Sequence, residues 1–321
     1  MPKTKSPRKG SLQYWPRKRA KRIYARVRTW PQSKNSALQG FLGYKAGMTH
    51  VIITGKVGKN TQDISLPVTV IECPPIKIIG AKFYKNTSYG PISVSQILTQ
   101  KLDKELKRKI TLPKKQAKSI EDIKEFDEVR AIIQTQPKLT GIGKKKPEIL
   151  EVPVDGSKEE KLNYIKENLG KEIQIKDIFS EGQQLDIHSI TKGKGLCGPV
   201  KRFGIGLKSH KSEKGRRRPG NLGPWTGAKM WRVAQAGQLG FQQRTEHNKW
   251  LIKISDKPDE INPKSGFQNY GAVKNTFILL KGSLPAPKKR TIILTNPLKP
   301  NRRIKGVPLI NYISLKWKLK H

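Results

Sequence analysis

The stretch 64–84, ISLPVTVIECPPIKIIGAKFY, contains the pattern that decides the fold. It is rich in Val, Ile and Thr and is interrupted by Pro and Gly, which is typical of β-strands separated by turns. The stretch 43–55, GYKAGMTHVIITG, has the same character, as do 128–137, 185–191 and 277–297. Many short strands joined by turns predict a mainly β fold, with a barrel as the expected architecture.

Two segments show a helical pattern. Ser157 and Glu160 form a capping box at the start of KEEKLNYIKENL, and Gly170 follows its end, so a helix is expected there. A second helix is predicted over 93–106, where apolar residues recur at helical spacing. Both patterns fall in or beside 101–170, whose 17 basic and 13 acidic residues nearly balance. We interpret this part as a small α+β insertion without a functional site.

The charge of the chain is large and segregated. The 321 residues include 66 Lys and Arg against 24 acidic residues, a net charge of +42. Such an excess opposes compaction and indicates a polyanionic partner, with nucleic acid as the usual one and an anionic membrane as the rival. Residues 1–62 hold 15 basic residues and no acid, and 191–232 hold 12 basic residues and one acid. Two basic segments beside ordinary protein are typical of a polyanion-binding surface.

Several classes of protein are disfavoured by what the sequence lacks. It has no run of about 18 apolar residues that would span a bilayer, and its basic N-terminus is not followed by the apolar stretch of a secretory signal. Cys73 and Cys197 are far apart, which favours a reducing compartment and no disulfide framework. No metal-ligand spacing or nucleophile motif occurs, so no metal, cofactor or catalytic residue is predicted. His188, on an expected strand, is interpreted as a core or surface residue.

The segment 1–39 lacks enough apolar residues for a core, so it is expected to be ordered only against a partner. Trp15, Tyr24 and Trp30 interrupt its cationic run. Aromatic rings among Arg and Lys suit stacking on bases, but they could equally attach the segment to the body of the protein. Nuclear import is a third and weaker interpretation of PRKRAKR, because basic clusters recur along the chain.

The segment 192–206, KGKGLCGPVKRFGIG, contains G-x-G-x-x-G at Gly193, Gly195 and Gly198. A dinucleotide site needs a strand, the glycine loop, a helix, and an acid about 20 residues further on. The sequence predicts the strand but neither the helix nor the acid. Eleven of the 28 glycines lie between 191 and 240 among many cations, which indicates a backbone that approaches phosphates closely. The alternative is a disordered linker, which rarely carries tryptophans.

The sequence GNLGPWTGAKMW places Trp225 after Pro224 and between Gly223 and Gly227. This arrangement predicts a large ring at the apex of a tight turn. The ring either inserts into a folded partner, where stacking on a base contributes roughly 1–3 kcal/mol, or folds back onto a core.

A set of residues with intact spacing resembles the signature of the large-subunit ribosomal protein three family, in its archaeal and eukaryotic form. The matching positions are Phe179, Asp186, Ser189, Thr191, Gly193, Lys194, Gly195, Gly198 and Arg202. The stretches 5–20, 40–50 and 223–251 are also similar to that family. The resemblance covers nearly the whole chain and is weakest over roughly 100–170.

The resemblance implies a translation-protein β-barrel with an inserted α+β subdomain and long basic extensions that reach into large-subunit rRNA. The expected parts are a basic extension 1–39, barrel segments 40–100, 171–191 and 251–321 (the last with the C-terminal tail), an insertion 101–170, and a central loop 192–250. The central loop is expected to project toward the peptidyl-transferase centre and the aminoacyl-tRNA entry region, with Trp225 at its tip. The family binds rRNA early in subunit assembly and is not a catalyst.

The implied partners are large-subunit rRNA and other large-subunit ribosomal proteins, in the cytoplasm, with no membrane and no small-molecule substrate. An rRNA-modifying or dinucleotide-dependent enzyme would need a cofactor pocket, and a DNA-packaging protein would seldom need irregular glycine-rich loops. The predicted rRNA-binding residues are Arg8, Lys9, Trp15, Arg17, Lys18, Arg19, Lys21, Arg22, Arg26, Arg28, Lys192, Lys194, Lys201, Arg202, Lys208, His210, Lys211, Lys214, Arg216, Arg217, Arg218, Trp225, Lys229, Trp231, Arg232, Arg244 and His247.

Overall fold

The fold is seen in a computed structural model, and the prediction of a mainly β protein is confirmed. The structure describes residues 10–11, 13, 15–31, 37–57, 60–100, 102–113, 123, 125–212, 214–220, 233–302 and 306–315. The strands are β1 (Gly40–Val57), β2 (Asn60–Glu72), β3 (Ile76–Thr87), β4 (Gly90–Leu98), β5 (Glu128–Gln134), β6 (Ile149–Pro153), β7 (Glu172–Ile173), β8 (Gln184–Ile190), β9 (Leu196–Cys197), β10 (Gly237–Gln238), β11 (Gln243–Ser255), β12 (Phe277–Lys281), β13 (Thr291–Thr295) and β14 (Leu309–Ile313). The helices are α1 (Lys158–Asn168), α2 (Pro199–Phe203) and short 3₁₀ turns at Lys104–Arg108, Pro137–Leu139, Ile175–Asp177 and Pro258–Glu260.

The largest sheet has seven strands in the order β13-β8-β11-β12-β2-β1-β14. β13 also pairs with β1. The six strands β13, β8, β11, β12, β2 and β1 are therefore paired in a closed circuit. The hairpin of β1 and β2 continues to the pair Val57 and Asn60. The strands predicted in 277–297 form as β12 and β13, but they do not pair with each other. β12 lies between β11 and β2, and β13 pairs with β8 and β1.

The core of this sheet contains the apolar residues of the stretches that predicted strands. Tyr44, Val51, Val70 and Phe277 are fully buried in one cluster. β8 is buried along its whole length, including its polar residues Gln184, Asp186, His188 and Ser189. Burial of the apolar side chains provides the main stabilisation of the sheet.

A five-stranded sheet has the order β4-β3-β5-β6, with β7 also paired to β3. Helix α1 begins as predicted, with the capping box of Ser157 and Glu160 formed in both directions, and Gly170 with φ +78° follows its end. The predicted strand at 128–137 is β5. Of these elements, β5, β6 and α1 lie within 101–170, the part of the chain whose charge is balanced.

The helix predicted over 93–106 is wrong. Residues 90–98 form β4, which pairs with β3 along its length, and a 3₁₀ turn follows only at Lys104–Arg108. Val94 and Ile97 fit a helical spacing, but β-branched side chains also favour strands. Residues 90–98 form a strand and not a helix because the edge of β3 is available for pairing. This is a tertiary interaction, which the spacing of apolar residues in the sequence does not reveal.

The chain forms two compact units. One consists of Met1–Ile23 and Ile190–Arg244, and the other of Tyr24–Ser189 and Thr245–His321. The domain boundaries predicted from composition stay predictions. Cys73 and Cys197 are both free and buried. Among the described helices, none has the length and apolar character needed to cross a bilayer.

His188 is held inside the second unit, as expected for a core residue. Its Nδ1 lies 3.0 Å from Thr245 Oγ1 and its Nε2 lies 3.3 Å from Thr295 Oγ1. Burial lowers the pKa of His188 to about 4, so the ring is neutral at pH 7. The unfolded chain takes up this proton near the ordinary pKa of about 6.5.

Between those two pH values the unfolded state binds more protons, so the contribution of His188 to stability falls as the pH drops from about 6.5 to 4. The loss reaches roughly 3 kcal/mol. We expect His188→Gln to show a shallower decline in the free energy of urea unfolding over this range, whereas His50→Gln, at an exposed position, keeps the wild-type profile. Parallel profiles for wild type and His188→Gln would contradict the assignment.

Candidate nucleic-acid interface

The two ends of the glycine-rich segment form an antiparallel stem. Thr191 N donates to Gln242 O at 3.0 Å, Lys194 N donates to Leu239 O at 2.9 Å, and Leu239 N donates to Gly195 O at 2.9 Å. The short strands β9 and β10 continue the pairing. The segment is therefore a loop closed at its base, and the linker interpretation does not apply to the stem.

Gly240 is the position in this stem where a side chain has no room. Its φ is +71°, and a Cβ built there would lie 2.0 Å from the carbonyl oxygen of Lys192. Gly195 also has a positive φ, +64°, but nothing lies within 4 Å of its Cβ position. The sequence predicted that the backbone at these glycines approaches phosphates closely. At Gly240 the group that lies close is instead the backbone carbonyl of Lys192.

A helix follows Gly198, contrary to the prediction that none would form. α2 spans five residues, Pro199–Phe203, with Pro at its first position and Gly204 in the left-handed conformation at its end. Proline favours the first turn of a helix and glycine favours its C-terminal boundary, which explains the helix locally. Five residues are too few for the helix of a dinucleotide fold, and the expected acid is still lacking in the sequence.

The N-terminal segment and the central loop meet in a cluster of aromatic and cationic side chains. The rings of Trp15 and Phe203 stack with centroids 6.0 Å apart and planes inclined by 20°. The Arg17 guanidinium lies 4.5 Å from the centroid of Phe203, and that of Arg202 lies 5.1 Å from it. Cations over ring faces contribute about 0.5–1 kcal/mol each at exposed sites.

Arg202 also holds parts of this unit together through hydrogen bonds. Its Nε donates to Gln238 O at 3.1 Å and its Nη1 donates to Gln235 O at 3.0 Å, while its own carbonyl accepts from Arg17 Nη1 at 3.3 Å. Partial burial lowers the pKa of Arg202. Three of its polar groups are therefore engaged within the protein, which the sequence did not reveal.

A second contact joins the same two segments. Ala20 N donates to Phe241 O at 2.7 Å, and the Arg19 guanidinium lies 5.3 Å from the centroid of the Phe241 ring. Residues 15–23 therefore form one unit with the central loop. Contacts separated by about two hundred residues are not visible in local sequence patterns.

This unit is strongly positive. Residues 1–23 and 190–244 together contain 22 Lys and Arg and one acid, Glu213. Among the predicted site residues in it, Arg17, Arg202, Lys208 and Arg244 are half-buried. The exposed ones are Lys18, Arg19, Lys21, Arg22, Lys192, Lys194, Lys201, His210, Lys211, Lys214, Arg216, Arg217 and Arg218.

The other predicted site residues fall elsewhere. Arg26 and Arg28 are exposed in the second unit, and His247 also belongs to that unit. Tyr24 is buried, and Lys109 Nζ lies 5.5 Å from the centroid of its ring. The ring of Trp30 lies against Gly40. Both rings therefore attach the N-terminal segment to the body of the protein, which was one of the two interpretations of these aromatic residues. Arg8, Lys9, Trp225, Lys229, Trp231 and Arg232 lie outside the described residues.

The model of the Ribosomal protein L3 family matches residues 1–318. The chain belongs to this family. It is 45% identical over 97% of both chains to the large ribosomal subunit protein uL3 of Methanobrevibacter smithii, and 44% identical over 96% of both chains to that of Methanocaldococcus jannaschii. The uL3 protein of Archaeoglobus fulgidus is 44% identical, again over 96% of each chain.

The family is a structural ribosomal protein and not an enzyme, so the prediction that this chain is not an enzyme is confirmed and the enzyme hypothesis is set aside. The resemblance inferred from the signature at 179–202 is likewise confirmed. Across the part of the chain that the structure describes, no group of three or more His, Cys, Asp or Glu residues could hold a metal ion.

The signature residue Asp186 anchors the chain just beyond the stem. It is 1% exposed, and its carboxylate lies 2.7 Å from His247 Nδ1 and accepts from Asn248 N at 2.8 Å and Leu298 N at 3.2 Å. Asn248 has a φ of +57°, which this backbone hydrogen bond stabilises. The sequence identified Asp186 as part of a motif, but its role as an anchor depends on residues about 60 and 110 positions away.

Proposed function

We propose that this protein is a structural component of the large ribosomal subunit that binds large-subunit rRNA through the basic unit formed by residues 1–23 and 190–244. The observation that carries the proposal is the joining of both basic segments into one unit with 22 cations and one acid. Phosphate contacts dominate the affinity of proteins for nucleic acids, and irregular backbone suits folded RNA better than a regular duplex. Relatives named as large ribosomal subunit proteins support the same assignment.

In this proposal the protein acts in the cytoplasm, within the large subunit and beside other large-subunit proteins, and binds early in assembly. The six strands whose pairings return to β1 support the translation-protein β-barrel implied by the resemblance. The five-stranded sheet with α1 supports the α+β insertion. The central loop, held by its stem, extends toward the peptidyl-transferase centre and the aminoacyl-tRNA entry region, with Trp225 at its tip on the strength of the family resemblance.

The exposed run Arg216, Arg217 and Arg218 offers a direct test. Each cation that contacts a phosphate adds about 0.7–0.9 to the slope of log affinity against log salt. We therefore expect the triple Arg→Gln variant to bind large-subunit rRNA more weakly at low salt and to lose about two units of that slope. Filter binding of the full chain over a salt series measures this.

The matched control removes the same charge from the other unit. Lys104, Lys107 and Arg108 are exposed on a 3₁₀ turn of the insertion, and their triple Gln variant is expected to keep the wild-type slope. Equal losses of slope in the two variants would show that binding follows net charge alone and would overturn the proposed interface.

A further inference from the structure

The end of the hairpin formed by β3 and β4 extends past the rest of its sheet. β5 begins at Glu128, opposite Tyr84, so beyond Tyr84 the strand β3 pairs only with β4 among the described strands. The remaining pairs are Lys85 with Ile92, Asn86 with Pro91 and Thr87 with Gly90. Residues 85–92 thus form a two-stranded projection, and a two-stranded hairpin is at best marginally stable in water by itself.

This projection exposes apolar side chains. Tyr89 at its tip is 98% exposed, Ile92 is 56% exposed and Val94 is 52% exposed. β4 is the last strand of the sheet order, so its outer edge presents unpaired backbone groups in the described structure. Edge strands in soluble proteins are usually protected by charged side chains, bulges or covering elements. Beyond the first two residues, Gly90 and Pro91, the sequence ISVSQIL of β4 carries no charge and no proline.

The charges around the projection do not suit RNA. Lys85 is the one charged residue in 85–94, and its Nζ lies 3.2 Å from the carboxylate of Glu125. Asp127 accepts a hydrogen bond from Asn86 N at 2.7 Å. Further along the same sheet, Arg130 is paired with Glu128 at 2.8 Å. In a chain of net charge +42, this surface offers the ion-paired Lys85 and Arg130, Lys158 at 4.2 Å from the centroid of the Phe126 ring, and two carboxylates at the base of an apolar strand edge.

We propose that the free edge of β4 docks an extended segment of another large-subunit ribosomal protein. The segment adds a strand beside residues 92–96, packs apolar side chains on Ile92 and Val94, and places a cation near Glu125 and Asp127. Strand addition gives affinity through backbone hydrogen bonds and specificity through alternate side chains. The identity of the partner class rests on the proposed function, whereas the docking edge rests on the exposure and charge of the projection.

Photocrosslinking in purified, fully assembled large subunits tests this docking. A chain carrying p-benzoylphenylalanine in place of Ile92 is expected to crosslink to a peptide of one other large-subunit protein, identified by mass spectrometry. The same substitution at Lys107, exposed elsewhere in the insertion, is the control and is expected to give a different pattern. Crosslinks at Ile92 to rRNA alone, or a yield no higher than at Lys107, would overturn the proposal.

A second measurement separates docking from rRNA binding. The double variant Ile92→Ser and Val94→Ser is expected to lower the yield of the protein crosslink from Tyr89→p-benzoylphenylalanine by about tenfold, equivalent to roughly 1.4 kcal/mol. Its salt slope for free rRNA is expected to equal that of the wild type, because no cation is changed. Circular dichroism of the free variant establishes that the sheet is folded. An unchanged crosslink yield in the folded variant would contradict docking at this edge.

Discussion

Replacing Gly240 by alanine is expected to open the stem at the base of the central loop. The added Cβ would meet the carbonyl oxygen of Lys192 at 2.0 Å, and the φ of +71° disfavours any L side chain. Backbone strain of this kind costs about 1–3 kcal/mol before the clash is counted. We expect amide hydrogen exchange at Lys194, Leu239 and Phe241 to accelerate by at least about tenfold, and rRNA affinity to fall with it.

Gly195→Ala is the matched control. Its φ of +64° carries a similar conformational penalty, but the space around its Cβ is open. A smaller effect is therefore expected, because this variant carries the backbone strain of about 1–3 kcal/mol without the clash. If the two variants exchanged at equal rates, the contact with Lys192 would not be what requires glycine at 240.

Glu72→Ala is expected to destabilise the second unit, by roughly 1–3 kcal/mol for each buried donor that loses its acceptor. Glu72 is fully buried at the end of β2, and its carboxylate accepts from Lys274 N at 2.9 Å, from Asn275 N at 3.0 Å and from the hydroxyl of Tyr270. Burial, reinforced by this carboxylate, raises the pKa of Tyr270, so its hydroxyl remains a donor. Alanine would leave the buried hydroxyl of Tyr270 and the part-buried amides of Lys274 and Asn275 without this acceptor. Urea unfolding of the free protein measures the loss.

The comparison variant is Glu128→Ala, which removes a carboxylate from an ion pair with Arg130 near the surface. Such pairs contribute about 0–1 kcal/mol, so a small change is expected. A loss for Glu72→Ala no greater than that for Glu128→Ala would show that the loop around residues 270–275 does not depend on this carboxylate.

Strands were predictable from sequence wherever β-branched residues coincide with Pro or Gly boundaries. β1, β2, β5, β8, β12 and β13 all form in stretches chosen on that basis. The helix α1 was predictable because its capping box is local: the side chains of Ser157 and Glu160 each accept a hydrogen bond from the backbone N–H of the other. The error at 93–106 arose because helical spacing is a local signal, whereas β4 is stabilised by the neighbouring strand β3.

The candidate interface was predictable in its charge but not in its architecture. The exposed cations at 192–218 follow directly from composition, and most of them lie on the surface as expected. The stack of Trp15 on Phe203 and the contacts of Arg202 join positions that are far apart in the chain, so no spacing rule contains them. Arg202 also shows that a cation in a basic run can serve the protein's own backbone.

The union of Met1–Ile23 with Ile190–Arg244 has a consequence for synthesis of the chain. The hydrogen bond from Arg17 to Arg202 spans 185 residues, so at 5–20 residues per second the first segment waits roughly 10–40 s for its native partner. During that interval a nascent peptide dense in positive charge is open to capture by any polyanion nearby. This peptide would most need protection before residue 244 leaves the translating ribosome. A dedicated chaperone or slow release from the ribosome could provide it.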